Sequence, residues 1–133
     1  MSVRYGEVDQ QGVVFNAHYL AYIDDTLENW LRPVRQLGSR LGWDMMLRKC
    51  TIEWHGAAES GDLLCIDVAV ARWGRTSWDV GYVGTCQERL VFSARVVYVS
   101  VDLRTHAPVE TPREIREFMG QAIDLVGAWT AAQ

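Results

Sequence analysis

The sequence predicts an α+β domain in which one long helix packs against an antiparallel sheet. Apolar residues at helical spacing occupy the first third of the chain, long β-favouring runs fill the middle, and a helix-start signal follows near the C-terminus. Strands that follow one another with no helix between them pair in antiparallel fashion. The chain has 133 residues, which fits a single domain over residues 1–133.

The long helix is predicted from about Ala17 to Leu31. Apolar side chains recur along this segment at steps of three and four residues, which places them on one helical face. They are Leu20, Ile23, Leu27, Leu31 and Val34. Pro33 lacks a backbone N–H group and crowds the preceding turn, so we expect the helix to end or bend near Arg32.

Five strands are predicted from runs of β-branched and aromatic residues that turn residues separate. They run from about Val3 to Val8, Met46 to Trp54, Leu63 to Trp73, Thr76 to Cys86 and Leu90 to Leu103. The last strand is apolar on both faces, so both of its faces need cover. The long helix would cover one face. We expect a second copy of the chain to cover the other, since nothing else in the sequence is large enough.

A shorter helix is predicted near the C-terminus. Thr111 as N-cap, Pro112 at the first helical position and Glu114 three residues after the cap form a capping box. The apolar positions that we expect to pack against a sheet edge are Ile115, Phe118 or Met119, and Ala122.

Composition and charge exclude several classes of protein. With 49% hydrophobic and 23% charged residues the composition is globular, and a net charge of -4 would repel a nucleic-acid duplex. The longest segment without a charge, residues 10–23, is too short to span a bilayer, and no signal-peptide pattern opens the sequence. Cys50, Cys65 and Cys86 have no metal-site or disulfide-framework spacing. We therefore expect a cytoplasmic protein with reduced thiols and no membrane insertion.

The densest unusual chemistry lies just before the long helix. Asp9 lies in a turn that Gly12 would close, and Asn16 falls where the helix should begin. The first N–H groups of a helix have no internal partner, so they can polarise a carbonyl and hold the oxyanion that develops there. A carboxylate just outside that helix end can attack the carbonyl or take a proton from water. The alternative is an ordinary Asx turn at Asp9 and an ordinary N-cap at Asn16.

The segment from Asp9 to Leu20 reads DQQGVVFNAHYL, and it resembles the signature of the 4-hydroxybenzoyl-CoA thioesterase family. This family includes acyl-CoA thioesterases associated with the Tol–Pal system. The resemblance extends to the turn Ala71–Trp78, to the long strand before Asp102 and to the ending Pro108–Ile115. It implies the hot-dog fold, a long helix wrapped by an antiparallel five-stranded sheet. It also implies hydrolysis of an acyl- or aroyl-CoA to a free acid and coenzyme A.

The resemblance assigns roles to individual residues. Asp9 is implied to be the catalytic carboxylate, as a nucleophile or as a general base on water, and the backbone N–H of Asn16 to polarise the thioester carbonyl. The implied substrate-binding residues are Gly12, Phe15, His18, Tyr19, Arg72, Arg75, Thr76 and Ser77. Asn16 stands where relatives often have Tyr or His, and His18 where they often have Asn. The accepted acyl group therefore stays open.

The last four of these residues belong to a turn that touches the nucleotide end of coenzyme A in relatives. Its arginines would pair with phosphates, and its hydroxyls would assist. Gly74 replaces one basic residue of the family pattern, which weakens the assignment. The alternative is a solvated hairpin turn with two ordinary arginines.

No metal and no cofactor besides the coenzyme A of the substrate is implied. The segment Asp24–Glu28 fits the DDxx(D/E) magnesium pattern of isoprenoid synthases, but those enzymes are longer and all-helical, so a solvated or interfacial helix face is favoured. His18, His55 and His106 lack metal-ligand spacing.

The family implies a homodimer or homotetramer with active sites between subunits. One alternative function is a non-catalytic hot-dog module that binds acyl-CoA or a protein partner. Another is a hot-dog hydratase or dehydratase. It ranks lowest because that chemistry usually needs an Asp–His pair close in sequence, and the histidine nearest to Asp9 is His18, on the helix.

Overall fold

The computed structural model describes residues 1–4 and 18–131. Within these residues one long helix packs against an antiparallel sheet, and two short helices follow. The elements are α1 (His18–Arg40), β1 (Trp43–Trp54), β2 (Cys65–Trp73), β3 (Ser77–Cys86), β4 (Arg89–Asp102), α2 (Arg113–Met119) and α3 (Leu125–Ala131). The predicted α+β class is confirmed. In the described part of the chain, no helix is long and apolar enough to cross a membrane.

The sheet has four strands in the described residues, in the order β1-β4-β3-β2, and not the five that were expected. Residues 1–4 hold only the start of the predicted opening strand, and residues 5–8 lie outside the described part. Ser2 forms an isolated bridge with Leu63, and the N–H of Val3 donates to the carbonyl of Asp62 at 2.9 Å. These bonds hold the N-terminus beside the turn at Gly61 without building a ladder.

Of the two outcomes expected at Arg32, an end or a bend, the end is wrong, since helix α1 continues past Pro33 to Arg40. Proline removes one backbone donor at a cost of about 3 kcal/mol in a helix interior. The apolar face continues beyond it through Val34 and Gly38, which are both buried. A Cβ at Gly38 would lie 2.8 Å from a ring carbon of Trp43, so this last turn packs directly against the start of β1. Burial of this face compensates for the missing bond.

The core lies between α1 and the face of the sheet that it covers, which we call the inner face. Aromatic residues dominate its centre, where the ring of Trp78 stacks on Tyr98 with centroids 4.8 Å apart. The hydroxyl groups of Tyr82 and Tyr98 lie 2.9 Å apart. Burial raises the pKa of Tyr98 to about 12 and raises that of Tyr82 further still. Both hydroxyls therefore stay neutral and satisfy one another inside the core.

Thr111 does not cap helix α2, so the predicted capping box is wrong. The helix begins at Arg113, and no side chain caps its first turn. Thr111 is instead buried, with its hydroxyl 2.7 Å from that of Ser100. The Ser100 oxygen already accepts hydrogen bonds from the indole N–H groups of Trp43 and Trp78, at 2.9 and 3.1 Å. The Ser100 hydroxyl therefore donates its own proton to Thr111. Thr111 thus forms a hydrogen bond inside the core and does not cap the helix.

The apolar positions of α2 divide between core and surface. Ile115 and Met119 are buried, which settles the choice between Phe118 and Met119 in favour of Met119. Phe118 is exposed, and Ala122 is exposed beyond the end of the helix. The predicted packing of Ala122 is therefore wrong.

Helix α3 covers part of the other face of the sheet, which we call the outer face. The N–H of Ile123 donates to the carbonyl of Val70 at 2.8 Å, and α3 then packs on β3 and β2. Gly81 leaves room for this helix, since even a Cβ there would lie 3.8 Å from Val126. Helix α3 thus supplies part of the cover that was expected from a second copy of the chain, and cover of the β4 part of this face by that copy stays an expectation. Val97 and Val99, on the β4 part of this face, remain half-buried.

Candidate active site

The predicted catalytic segment lies largely outside the described residues. Asp9, Gly12, Phe15 and Asn16 belong to residues 5–17, so their roles stay predictions. The described part of α1 begins at His18, which is half-buried.

An aromatic cluster surrounds the first turn of α1. It consists of Tyr19, Tyr22, Trp54 and Phe92. The ring of Tyr19 lies at its centre, with centroid distances of 5.2 Å to Phe92, 5.7 Å to Tyr22 and 6.5 Å to Trp54. Tyr19, Tyr22 and Phe92 are buried, whereas Trp54 is 46% exposed. The start of the helix therefore rests on a rigid apolar base that reaches the surface at Trp54.

Tyr19 stays uncharged in this cluster. Burial raises the pKa of its hydroxyl group, and the hydrogen bond to the backbone of Ala58 offsets this only in part. Its ring is 1% exposed, so the structure places Tyr19 in the core beneath the start of the helix. Substrate contact by His18 and Tyr19 stays a prediction.

The predicted phosphate-binding turn follows strand β2. Arg72 donates from Nε and Nη2 to one carboxylate oxygen of Asp79, at 3.1 and 2.9 Å, and from Nη2 to the hydroxyl of Ser77 at 2.9 Å. Arg75 is highly exposed and pairs with exposed Glu110 at 3.4 Å. The carbonyl of Thr76 accepts from the N–H of Ser100. Arg75 is thus the arginine of this turn that extends into solvent, while Arg72 is held in a structural ion pair.

The turn and the start of α1 lie at opposite ends of the sheet. Phe92 of β4 contacts Tyr19, whereas Ser100 of the same strand bonds to the turn at Thr76. The two ends are about 26 Å apart along the strand, at about 3.3 Å per residue. Within a single copy of the chain, the two groups of predicted site residues therefore lie at opposite ends of the sheet and do not form one site.

Asp24, on α1, is a titratable group that the sequence prediction treated as an ordinary helix face. Partial burial and the neighbouring carboxylates of Asp25 and Glu28 raise its pKa. The negative charge of Asp24 in turn adds to burial in raising the pKa of the Cys50 thiol. The sequence shows that Asp24 directly follows Ile23, a residue of the predicted apolar face of the helix. Its electrostatic coupling to β1 required the fold.

Trp54 is the other residue that the sequence reasoning missed. Trp54 ends a predicted strand, and nothing in the sequence around it indicates that it contacts the first turn of α1. Only the register, which pairs Trp54 with Phe92, shows this.

In residues 1–4 and 18–131, no three His, Cys, Asp or Glu side chains come close enough together to hold a metal ion. His55 has a different environment, since its Nε2 lies 3.2 Å from the hydroxyl oxygen of Ser93 and 3.8 Å from a carboxylate oxygen of Glu53. Both partners approach the same ring nitrogen, so the arrangement lacks the geometry of a Ser-His-acid triad.

A small cleft of about 240 Å³ lies on the outer face, between α3 and the sheet. Thr51, Arg95 and Val126 are among the residues that line it. This cleft is on the opposite side of the sheet from α1.

Comparison with known proteins identifies the family. The family model of the thioesterase-like superfamily matches residues 3–119. The chain belongs to the thioesterase-like superfamily. This match covers Asp9, the first turn of α1 and the turn with Arg75, and it confirms the thioesterase resemblance found in the sequence. No curated protein sequence matches the chain.

Solved structures of thioesterases share the fold. The probable thioesterase YbaW of Escherichia coli is 23% identical, with a TM-score of 0.82 over 91% of this chain and 96% of that one. A 1,4-dihydroxy-2-naphthoyl-CoA thioesterase of Synechocystis is 19% identical, with a TM-score of 0.77 over 90% and 91%. A Thermus thermophilus thioesterase complexed with coenzyme A and Zn is 21% identical, with a TM-score of 0.77 over 90% and 88%. The helix and sheet of this superfamily member thus have the thioesterase hot-dog arrangement.

Proposed function

We propose that this chain is an acyl-CoA thioesterase that hydrolyses an acyl- or aroyl-CoA to a free acid and coenzyme A. The observation that carries the proposal is the superfamily match over residues 3–119, which includes Asp9 and the start of α1. A thioesterase with bound coenzyme A among the proteins of similar fold supports this choice of substrate.

The proposed reaction needs a nucleophile and an oxyanion site. Water attacks the thioester carbonyl while Asp9 accepts its proton, or Asp9 attacks first and water hydrolyses the resulting acyl-enzyme. The N–H of Asn16 stabilises the negative charge on the carbonyl oxygen. On the first route the carbon–sulfur bond then breaks, and the sulfur of coenzyme A takes the proton held by Asp9. On the second route the bond breaks as the acyl-enzyme forms, before water hydrolyses it, and the thiolate of coenzyme A takes its proton from solvent. No cofactor takes part besides the coenzyme A of the substrate.

A second copy of the chain would complete the site. Strand β1 pairs with β4 on one side only among the described residues, and it exposes Met46 and Leu47. Antiparallel pairing of two β1 strands about a twofold axis would set the Trp43 end of one copy beside the Trp54 end of the other. Arg75 of one subunit would then approach the α1 start of its partner. This arrangement supports a homodimer, and the partly exposed Val97 and Val99 of the outer face are compatible with a tetramer.

Arg75 is the proposed phosphate contact of this shared site. Its guanidinium is exposed, and its partner Glu110 is exposed as well, so phosphate can replace that carboxylate at little cost. Arg72 is less suited, because leaving Asp79 would uncover a buried carboxylate.

A thiol-release assay over short-chain, long-chain and aromatic acyl-CoA substrates tests the proposal. The proposal expects hydrolysis of at least one class, well above the uncatalysed rate. Tight binding of coenzyme A without hydrolysis of any of them would contradict it and would favour a non-catalytic acyl-CoA-binding module instead.

A further inference from the structure

Helix α3 lies outside the part of the chain that the superfamily model matches. The match ends at residue 119, and α3 runs from Leu125 to Ala131. The helix packs on strands β3 and β2, on the outer face of the sheet. It therefore adds a layer to this face beyond the matched domain.

Local interactions fix the place where α3 begins. The N–H of Ile123 donates to the carbonyl of Val70 at 2.8 Å, which ties the segment before the helix to strand β2. The carboxylate of Asp124 then accepts a hydrogen bond from the N–H of Gly127 at 3.0 Å, as an N-cap does. A Cβ at Gly127 would overlap this carboxylate, so a larger residue there would displace the cap. The first turn of α3 is thus held at one position on the sheet.

The sheet beneath α3 is built to receive a helix. Gly81 of β3 has no side chain, and its register partner on β2 is Ala69. A Cβ at Gly81 would lie 3.8 Å from Val126 and 4.0 Å from the Cβ of Leu125. These two side chains of α3 therefore rest close to the strand backbone. Ala69 and Val83, on the same face, are buried.

Helix α3 fills the layer that the sheet of another copy would need. Two sheets that pack face to face lie about 10 Å apart. A helix with its side chains is itself about 10 Å across. While α3 lies on β2 and β3, the sheet of another copy therefore cannot approach that half of the outer face.

The other half of the outer face, formed by β4 and β1, is a poor interface by itself. Its two valines, Val97 and Val99, are half-buried, but exposed Lys49 is the register partner of Val97. Exposed Arg95 lies two residues before Val97, and it shares the carboxylate of Asp79 with a second arginine. A second dimer packed on this half alone would desolvate both cations and cover little apolar area in return.

We propose that α3 is an assembly cap, which limits the chain to the homodimer formed through β1 and prevents two dimers from packing through their outer faces. This inference rests on the proposed function for that dimer, and it decides between the homodimer and the homotetramer. Loss of α3 from the sheet uncovers Ala69, Gly81 and Val83. These residues add to the two valines of β4, and the outer faces of two dimers then associate.

Sedimentation equilibrium of the full chain tests the inference in the wild type and in Leu125→Asp combined with Val126→Asp. Aspartate is compatible with the first turn of a helix but not with contact on the sheet, so this double variant loses the docking of α3. The wild type has the mass of two chains, whereas the mass of the variant rises toward four chains with concentration. The matched control is Ala122→Asp combined with Ala128→Asp, which adds the same charge at two exposed positions and keeps the mass of two chains.

Hydrogen exchange of residues 121–131 checks that the helix has left the sheet, and urea unfolding checks that each variant is folded. Ile123→Pro is the milder second variant, because it removes only the N–H that donates to Val70. We expect faster exchange in both variants and unchanged exchange in the control.

A wild type with the mass of four chains would overturn the inference, and so would an undocked variant with the mass of two. Exchange as slow as in the wild type would also overturn it, since these contacts would then not hold α3. None of these results concerns thiol release, so the proposed hydrolysis stands in each case. A wild type with the mass of one chain would contradict the β1 dimer and the inference with it. A dimer that hydrolyses no acyl-CoA would contradict the proposed hydrolysis and leave the assembly cap supported.

Discussion

The Nε atom of Arg95 lies 2.9 Å from Oδ2 of Asp79, while Arg72 binds the other oxygen of the same carboxylate. Asp79 is 6% exposed in the outer face of the sheet. Burial alone would raise the pKa of its carboxyl group, but the hydrogen bonds and charges of the two arginines outweigh burial and lower it. The Asp79 carboxylate is therefore charged in the folded protein. Its ion pairs with Arg72 and Arg95 connect strand β3 to its neighbours β2 and β4.

Asp79→Asn should lower the free energy of unfolding by about 1–3 kcal/mol at pH 7, because the two arginines lose their charged partner. A lowered pKa stabilises the fold above the ordinary aspartate pKa, and this contribution is lost as the pH falls through the folded value. The difference between wild type and variant should thus shrink below about pH 4. Urea unfolding over a pH series measures it, with exposed Asp67→Asn as the control. A difference independent of pH would contradict this assignment.

Arg75→Ala should raise the KM for acyl-CoA by about three- to tenfold and change kcat little, since the proposed phosphate contact lies far from the thioester. Arg72→Ala should act on stability, because it leaves Asp79 with one arginine. Steady-state kinetics and urea unfolding of both variants separate the two roles. Arg35→Ala, on the exposed side of α1, is the control. An unchanged KM in Arg75→Ala would exclude the residue from the binding site.

Ser100→Ala should destabilise the fold by about 1–3 kcal/mol. It removes the oxygen that accepts hydrogen bonds from the indoles of Trp43 and Trp78, and leaves these two buried N–H groups without that acceptor. Thermal or urea unfolding reports the change, and Ser60→Ala, in an exposed loop, serves as the control. A loss below about 0.5 kcal/mol would mean that these hydrogen bonds contribute little.

Gly84→Ala should destabilise the fold by about 1–3 kcal/mol, because the new methyl group overlaps the ring of Phe92. Gly81→Ala is the matched control from the same strand, where the nearest atom would be 3.8 Å from the new Cβ. Adding Phe92→Leu to Gly84→Ala should cost less than the sum of the two single changes. Additive losses would show that the ring does not constrain Gly84.

The order of α1, the four strands and α2 was predictable because each of these elements has a strong local pattern, whereas α3 was not predicted. The apolar spacing of α1 and the β-branched runs of β3 and β4 are regular enough to be recognised without tertiary information. The end of α1 was not predictable, because Pro33 is a local signal for a helix end. Burial of Val34 and Gly38 outweighs that signal and lets the helix continue. The same holds for Thr111, whose local pattern is a helix cap but whose hydroxyl binds a residue eleven positions away in sequence.

The candidate site was predictable only in part, because its members are distant in sequence. A carboxylate before a helix start is a local feature, and the resemblance to thioesterases identified Asp9 and Asn16. The ion pair between Arg72 and Asp79 and the exposure of Trp54 depend on strand register. A shift of one residue in that register would turn each side chain to the other face of the sheet.

In the proposed reaction the carboxylate of Asp9 drives thioester hydrolysis at the start of α1. Thiol release by Asp9→Asn, measured on the best substrate of the wild type, tests this role of Asp9. Asp25→Asn, on the exposed face of the helix, serves as the control. We expect a fall in kcat of about a hundredfold or more, with KM little changed and the control active. Unchanged turnover in Asp9→Asn would contradict it.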